Sequence, residues 1–285
     1  MKKILVVFVS VVFAFSAWGQ ALPSLLIGAD PAAAGVGGAA LARPADAFAI
    51  DHNAAAMSLS PQKFSAALSY GMWAPGTANN TLLGMGVWYR LGDKVALGLS
   101  GKMLKDKNSE QASSDMIASL GASYAIMEGL SVGLTARFVS STLTPEYKGT
   151  AFGADITALY HRGALSAALG VCNLGSSVSY GGASYAQPAL VRAGAAYTVV
   201  GITASAQVDY LFSGALMADV GAEYCIADII SLRAGYHYGA PGKTLASHAS
   251  LGLGVRYAGV SLNVAWLTAS ATLGNSLLFG LGYTF

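Results

Sequence analysis

The chain has 285 residues; 54% are hydrophobic, only 11% are charged, 35 are glycine, and the net charge is +2. That balance offers no basic patch of the kind nucleic acid requires. Past the first residues no apolar run reaches the roughly 18 residues of a membrane-spanning helix, so the hydrophobicity must be spread by alternation.

The chain opens with Met1-Lys2-Lys3, then an apolar stretch from Ile4 to Phe15 that is too short to span a bilayer, then Ala17-Trp18-Gly19. A basic start, a short apolar core and small residues at the cleavage positions predict a signal peptide over 1–19 and an exported protein that begins at Gln20. No cysteine follows the cleavage region, which argues against a lipid-anchored terminus.

Residues 20–62 do not alternate. Small residues dominate from Ala32 to Ala40, and Pro31, Pro44 and Pro61 punctuate the segment. Two short helical pieces, 31–42 and 45–50, are expected there, with Asp30 and Asp46 near their starts. A plug that fills a barrel lumen is the simplest assignment, and a flexible tail is the alternative.

From 63 to 285 the pattern changes to period 2. Strands are predicted at 64–73, 81–91, 94–105, 115–126, 130–141, 150–161, 164–174, 188–199, 201–212, 216–227, 230–239, 247–258, 259–268 and 276–285, about fourteen in all. Connections alternate in length. Those at Leu91-Gly92-Asp93, Arg162-Gly163, Val200-Gly201 and Ala258-Gly259 are tight, whereas 106–114, 142–149, 175–187, 240–246 and 269–275 are longer. The expected fold is an all-β, transmembrane antiparallel β-barrel in the outer membrane, with the short turns on the periplasmic side.

A repeat supports that orientation. Tyr89, Tyr124, Tyr197, Tyr224, Tyr257 and Tyr283 each end a strand and each follow a glycine by three residues; Tyr160 follows Thr157 in the same way. A ring of tyrosines at one level suits a membrane interface, where an apolar ring and a hydroxyl are both satisfied. They are assigned to a periplasmic girdle, with the preceding glycines on the inward face.

Large apolar residues share one face of each strand and small or polar residues the other, as with Leu130, Val132, Leu134 and Phe138 against Ser131, Gly133, Thr135 and Arg137. With lipid outside, the charged strand residues collect in the lumen: Lys102, Arg137, Asp155, Arg192, Asp209, Asp219, Glu223, Arg233, His237 and Arg256. Arg192, Asp209, Glu223, Arg233 and Arg256 fall on consecutive strands and predict an ion-pair ladder that neutralises itself and grips the plug. Cys172 and Cys225 lie on separate strands and are expected to be unpaired. His52, His161, His237 and His248 form no defensible Ser/His/Asp spacing, and no metal, nucleotide or other cofactor motif is present, so no enzymatic activity is expected.

Three stretches carry a resemblance. Ala34-Gly35-Val36-Gly37-Gly38-Ala39, then Asp46-Ala47, then Asn53-Ala54-Ala55-Ala56-Met57 resembles the N-terminal signature of the FadL-like barrel superfamily, with Ala54 where a proline is usual. This identifies Gly35, Gly37, Gly38, Asp46 and Asn53 as plug-motif positions. Val171-Cys172-Asn173-Leu174-Gly175, the Gly221-Ala222-Glu223-Tyr224 and Leu232-Arg233-Ala234-Gly235-Tyr236 pair, and Ser250-Leu251-Gly252-Leu253-Gly254 resemble motifs of the PorV/PorQ family of type IX secretion proteins. That resemblance implies a barrel that helps deliver sorting-domain cargo to the cell surface through contacts with translocon subunits or cargo. The alternative is a FadL-like channel for hydrophobic small molecules or lipid, against which the shortness of the loops counts.

Overall fold

The computed structural model describes residues 22–74, 79–106, 113–268 and 274–285. The expected signal peptide lies outside the described residues, as do 107–112 and 269–273 within two of the longer connections. Sixteen strands run in chain order: β1 Phe64–Trp73, β2 Asn80–Leu91, β3 Val95–Asp106, β4 Ser114–Met127, β5 Leu130–Thr142, β6 Lys148–Arg162, β7 Leu165–Gly175, β8 Val178–Tyr180, β9 Ala183–Tyr185, β10 Leu190–Val199, β11 Ile202–Leu211, β12 Leu216–Ile226, β13 Ile230–Gly239, β14 His248–Tyr257, β15 Val260–Leu267 and β16 Ser276–Thr284. Fourteen close into one antiparallel barrel, with β1 bonded to both β2 and β16, and β7 bonded to β10. The other two, β8 and β9, form a separate hairpin inside the 175–187 connection.

Alternation sets what each wall face meets. On β5, Ser131, Gly133, Thr135 and Arg137 are buried while Val132, Leu134 and Phe138 are exposed. The same holds around the wall, where Leu68, Leu99, Leu120, Leu169, Leu251 and Leu281 are all more than half exposed. Water would not tolerate an apolar surface that continuous, whereas lipid solvates it.

The inward face meets residues 22–62. This segment holds a 3-10 turn, Pro23–Leu26, and three helices of one turn or little more: α1 Pro31–Gly35, α2 Ala49–His52 and α3 Ala56–Leu59. The helix expected over 31–42 stops at Gly35, because Gly37 and Gly38 take positive φ (71° and 95°) and turn the chain against the wall. A Cβ on Gly37 would lie 2.6 Å from the backbone nitrogen of Tyr236. The piece expected over 45–50 forms at 49–52 instead; Asp46 does not cap it but accepts a bond from the Phe48 amide at 2.8 Å.

Five of the six glycines of the tyrosine repeat face this segment. A Cβ at Gly86 would lie 2.2 Å from the Ala47 carbonyl oxygen, at Gly221 2.3 Å from that of Val36, and at Gly280 3.0 Å from Pro31 Cγ. Gly121 and Gly194 abut Ile50 and Leu41, and Gly254 abuts Asn263 and Arg233. Where the repeat carries Thr157 instead, its hydroxyl accepts from the Ala55 amide at 3.3 Å. At Gly86 and Gly221 segment backbone touches the wall, and at Thr157 a bond is made instead. Gly221→Leu is therefore expected to destabilise the packing of residues 22–62 by about 1–3 kcal/mol. Limited proteolysis should show new cuts in that segment while the barrel keeps its heat-modifiable gel shift; an unchanged cleavage pattern would show that the wall yields instead.

Candidate functional site: a tyrosine-lined mouth above a packed lumen

Strand β7 leaves the barrel at a bulge. The register of β6 against β7 shifts between Ala154 and Ile156, and Asn173 adopts φ 57°. Its conformation is held from three sides: the Asn173 amide donates to Asp155 Oδ1 at 2.7 Å, Arg137 Nη1 donates to Asn173 Oδ1 at 2.5 Å, and Asn173 Nδ2 donates to the Pro188 carbonyl at 3.1 Å. Asparagine suits this position because its side chain tolerates the left-handed region and supplies a donor and an acceptor. Arg137 also grips Asp155 through both terminal nitrogens, at 2.7 and 3.3 Å. Alanine at Arg137 leaves Asp155 buried without its cation, so Arg137→Ala should lower unfolding free energy by about 3–5 kcal/mol. Urea unfolding in lipid vesicles reads this, and a loss below about 1 kcal/mol would show that the cluster is not what holds the bulge.

The bulge delivers the chain to β8–β9, which fold back over the lumen. Val178 and Tyr180 are buried with Ile117, Val139, Ala151 and Leu22. Beneath the hairpin is a cavity of about 680 Å³ whose walls include Tyr147, Tyr180, Tyr185, Leu104, Leu143 and Asp115. That volume lies within the range of small-molecule sites. Gly181 makes room for it: at φ 58°, a Cβ there would sit 2.5 Å from the Tyr147 ring. The Tyr180 and Tyr185 rings lie 6.1 Å apart, tilted by 46°. Burial pushes the Tyr180 phenol up, against a hydrogen bond with Ser141 that lowers it.

Deeper in, the lumen is packed and polar. A cavity of about 120 Å³ lies between the segment and the wall, lined by Lys102, Arg137, Arg192, Asp209 and Asp219 among others. A third, of about 290 Å³, lies toward the tyrosine rim and is lined by Arg43, Glu223, Arg233 and Arg256. Asp30 and His52 line both, and so stand between them.

The lumen charges form local clusters instead of a ladder. Arg192 pairs with Asp209 at 2.7 Å and Arg137 with Asp155. His237 Nδ1 lies 2.5 Å from Asp219, and Glu223 bridges Arg233 on the neighbouring strand and Arg43 of the N-terminal segment. Strand register breaks the ladder, since Asp209 lies opposite Met217 and not Glu223. Arg256 is exposed near the rim and joins no ion pair among the described residues. Lys102 donates to the Ile27 carbonyl. Cys172 and Cys225 are free thiols.

Of the plug-motif positions, Gly35 packs on Gly252 and Gly38 on the Asp219 carboxylate. Asn53 accepts from the Ala55 amide at 3.1 Å and donates to the Leu41 carbonyl at 2.7 Å, so the turn closes with Ala54 in place of proline. The seven girdle tyrosines, Tyr89, Tyr124, Tyr160, Tyr197, Tyr224, Tyr257 and Tyr283, are all exposed on the outer face.

Asp46 belongs to a triad that the sequence did not single out. Asp30 caps α1 by accepting from the Ala32 and Ala33 amides, and its Oδ2 lies 3.4 Å from His52 Nε2. Burial would push the Asp30 carboxyl up, but the hydrogen bond and charge of His52 bring it down to about 2. Burial and the charge of Asp30, with which it shares a hydrogen bond, push Asp46 up to about 8. Burial works to lower His52, but the hydrogen bond and charge of Asp30 raise it overall. The signs follow from proton binding. From its ordinary 3.8 up to about 8, folded Asp46 keeps a proton that the unfolded chain releases, so stability falls as pH rises through that window. His52 contributes below its ordinary 6.5 and loses that contribution as pH rises through its raised value. Asp30 contributes above 3.8 and is lost only as pH falls toward 2. Asp46→Asn keeps a neutral donor toward Asp30, so it should flatten the decline in segment stability between pH 4 and 8, measured by hydrogen exchange over residues 22–62. A decline as steep as in the parent would place its origin elsewhere.

Solved structures of the same fold include the Ralstonia pickettii toluene transporter TbuX, at 12% identity and TM-score 0.70 over 90% of this chain and 98% of that one. The CymD monoaromatic hydrocarbon channel aligns at 14% identity and TM-score 0.69, over 91% and 97%. A Pseudomonas aeruginosa FadL homologue aligns at 12% and 0.65, over 94% and 99%. No protein-family model matches the sequence, and no curated protein does. The first of these is a transporter and the second a channel, and what this chain shares with all three is the barrel fold.

Proposed function

We propose that the chain is an outer-membrane channel for small hydrophobic molecules, in which the tyrosine-lined cavity receives the ligand from outside and residues 22–62 act as a plug. The observation that carries this is the cavity of about 680 Å³ beneath β8–β9. The loops are short, but the hairpin folds inward and builds a mouth in which three aromatic rings and the apolar Leu22, Pro23, Leu104 and Leu143 stand among small polar residues. The fold shared with a toluene transporter and a monoaromatic hydrocarbon channel supports the same reading. The small, charged mid-lumen cavity is hostile to a hydrocarbon. Onward passage on this reading requires displacement of the Pro23–Leu26 turn, which separates mouth from lumen.

The motifs similar to secretion proteins have internal jobs here. Asn173 holds the bulge, Glu223 pairs with both Arg233 and Arg43, and Ser250 accepts from the Gly37 amide at 3.0 Å. They describe how a barrel is filled, which a secretion component and a channel would share. Toluene uptake into proteoliposomes holding the full chain tests the proposal. The parent protein should accelerate uptake, and Gly181→Val, which crowds Tyr147, should slow it about tenfold, the effect of losing about 1.4 kcal/mol of binding. No acceleration by the parent, together with co-purification of a large translocon subunit from outer membranes, would overturn the channel reading in favour of secretion.

A further inference from the structure

If the mouth cavity is where ligand enters, its charge says what kind of ligand it takes. Its described lining contains two carboxylates, Asp106 and Asp115, and no lysine, arginine or histidine. Asp115 sits on the inward face of β4, opposite Leu104 and Ser141, and accepts a hydrogen bond from the Ser141 hydroxyl. It forms no ion pair among the described residues. The cation nearest on the same face of β3 is Lys102, whose ammonium is committed to the Ile27 carbonyl one level deeper.

Around that carboxylate stand three phenol rings. Tyr180 is buried and touches Tyr185, and Tyr147 lies over the bare Cα of Gly181. Aromatic faces attract cations, and more strongly in a partly desolvated pocket. A ligand carboxylate entering the same space would meet Asp115 at close range, with no basic residue in the described lining to compensate its lost water.

We propose that the mouth cavity selects apolar molecules that carry an ammonium group and rejects those that carry a carboxylate, with Asp115 facing the ammonium and Tyr147, Tyr180 and Tyr185 enclosing the apolar body. This rests on the hydrophobic-ligand reading above and narrows it.

Three probes of one shape separate the two. Benzyltrimethylammonium, its uncharged isostere neopentylbenzene, and phenylacetate are titrated calorimetrically into the full chain in detergent. The ammonium should bind about tenfold more tightly than the isostere, a difference of about 1.4 kcal/mol, and phenylacetate should not bind measurably. Asp115→Asn should bring the ammonium down to the level of the isostere and leave the isostere unchanged, with the heat-modifiable shift retained as proof of folding. Equal binding of ammonium and isostere, or competition by phenylacetate, overturns the selectivity while leaving a hydrophobic channel standing. Failure of all three to bind overturns both.

Discussion

Backbone polar groups held at membrane depth must find their partners inside the protein, and the interior of this barrel is organised by that requirement. Residues 22–62 form only single helical turns, so many of their amides and carbonyls have no partner within the segment. The wall supplies partners with short side chains: Ser123 accepts from the Ser58 amide at 2.9 Å, Gln207 from that of Leu41 at 3.0 Å, and Ser131 donates to the Ala55 carbonyl at 2.7 Å. Each unmade bond of this kind would cost about 1–3 kcal/mol. Serine, threonine and glycine dominate the inward face because a larger residue would hold the segment too far away to bond.

The lumen charges follow the same logic. Buried ion pairs contribute little net stability against well-packed apolar residues, but they are costly to break and therefore fix geometry. Each cluster here ties an irregular element to the sheet. Arg137 and Asp155 hold the bulge at Asn173, and Glu223 joins Arg43 of the segment to Arg233 of the wall. Gln207, bonded to the Leu41 amide, also donates to Asp209, which pairs with Arg192. A continuous ladder would stiffen the sheet alone; separate clusters anchor what the sheet contains.

This explains what could be read in the sequence. Strand alternation and the tight glycine turns are local, so the fourteen barrel strands were legible with their faces. The Gly-x-x-Tyr repeat was legible because it records two faces at once: the exposed outer surface for the tyrosine and the filled interior for the glycine. The broken helix at Gly37 and Gly38 was not, because Gly37 is set by the backbone of Tyr236 and Gly38 by the carboxylate of Asp219, both far along the chain. Nor was the ion-pair register, which depends on stagger between strands and not on strand order. The Asp30–Asp46–His52 triad joins three separate turns of the segment that no sequence spacing relates. The mouth escaped for a related reason: Tyr147 and Tyr180 come from different connections, and only the αL turn at Asn173 brings them together.

Interior and rim therefore answer different questions. Of the motifs that suggested a secretion protein, those around Glu223, Gly235 and Ser250 lie where the wall meets the segment and supply a charge pair, a close approach and a hydrogen bond to it. Such positions report how the lumen is packed and are blind to what arrives outside. On the proposed reading the mouth answers to a ligand, since Tyr147, Tyr185 and Asp115 bond no residue of the segment among the described residues, although Leu22 and Pro23 form part of its wall. A chain can keep this interior while its rim is rebuilt for another partner. For this protein the rim sets three tyrosines and a carboxylate around a hollow of mixed polarity, and on the proposed channel reading that chemistry is what a small molecule would meet.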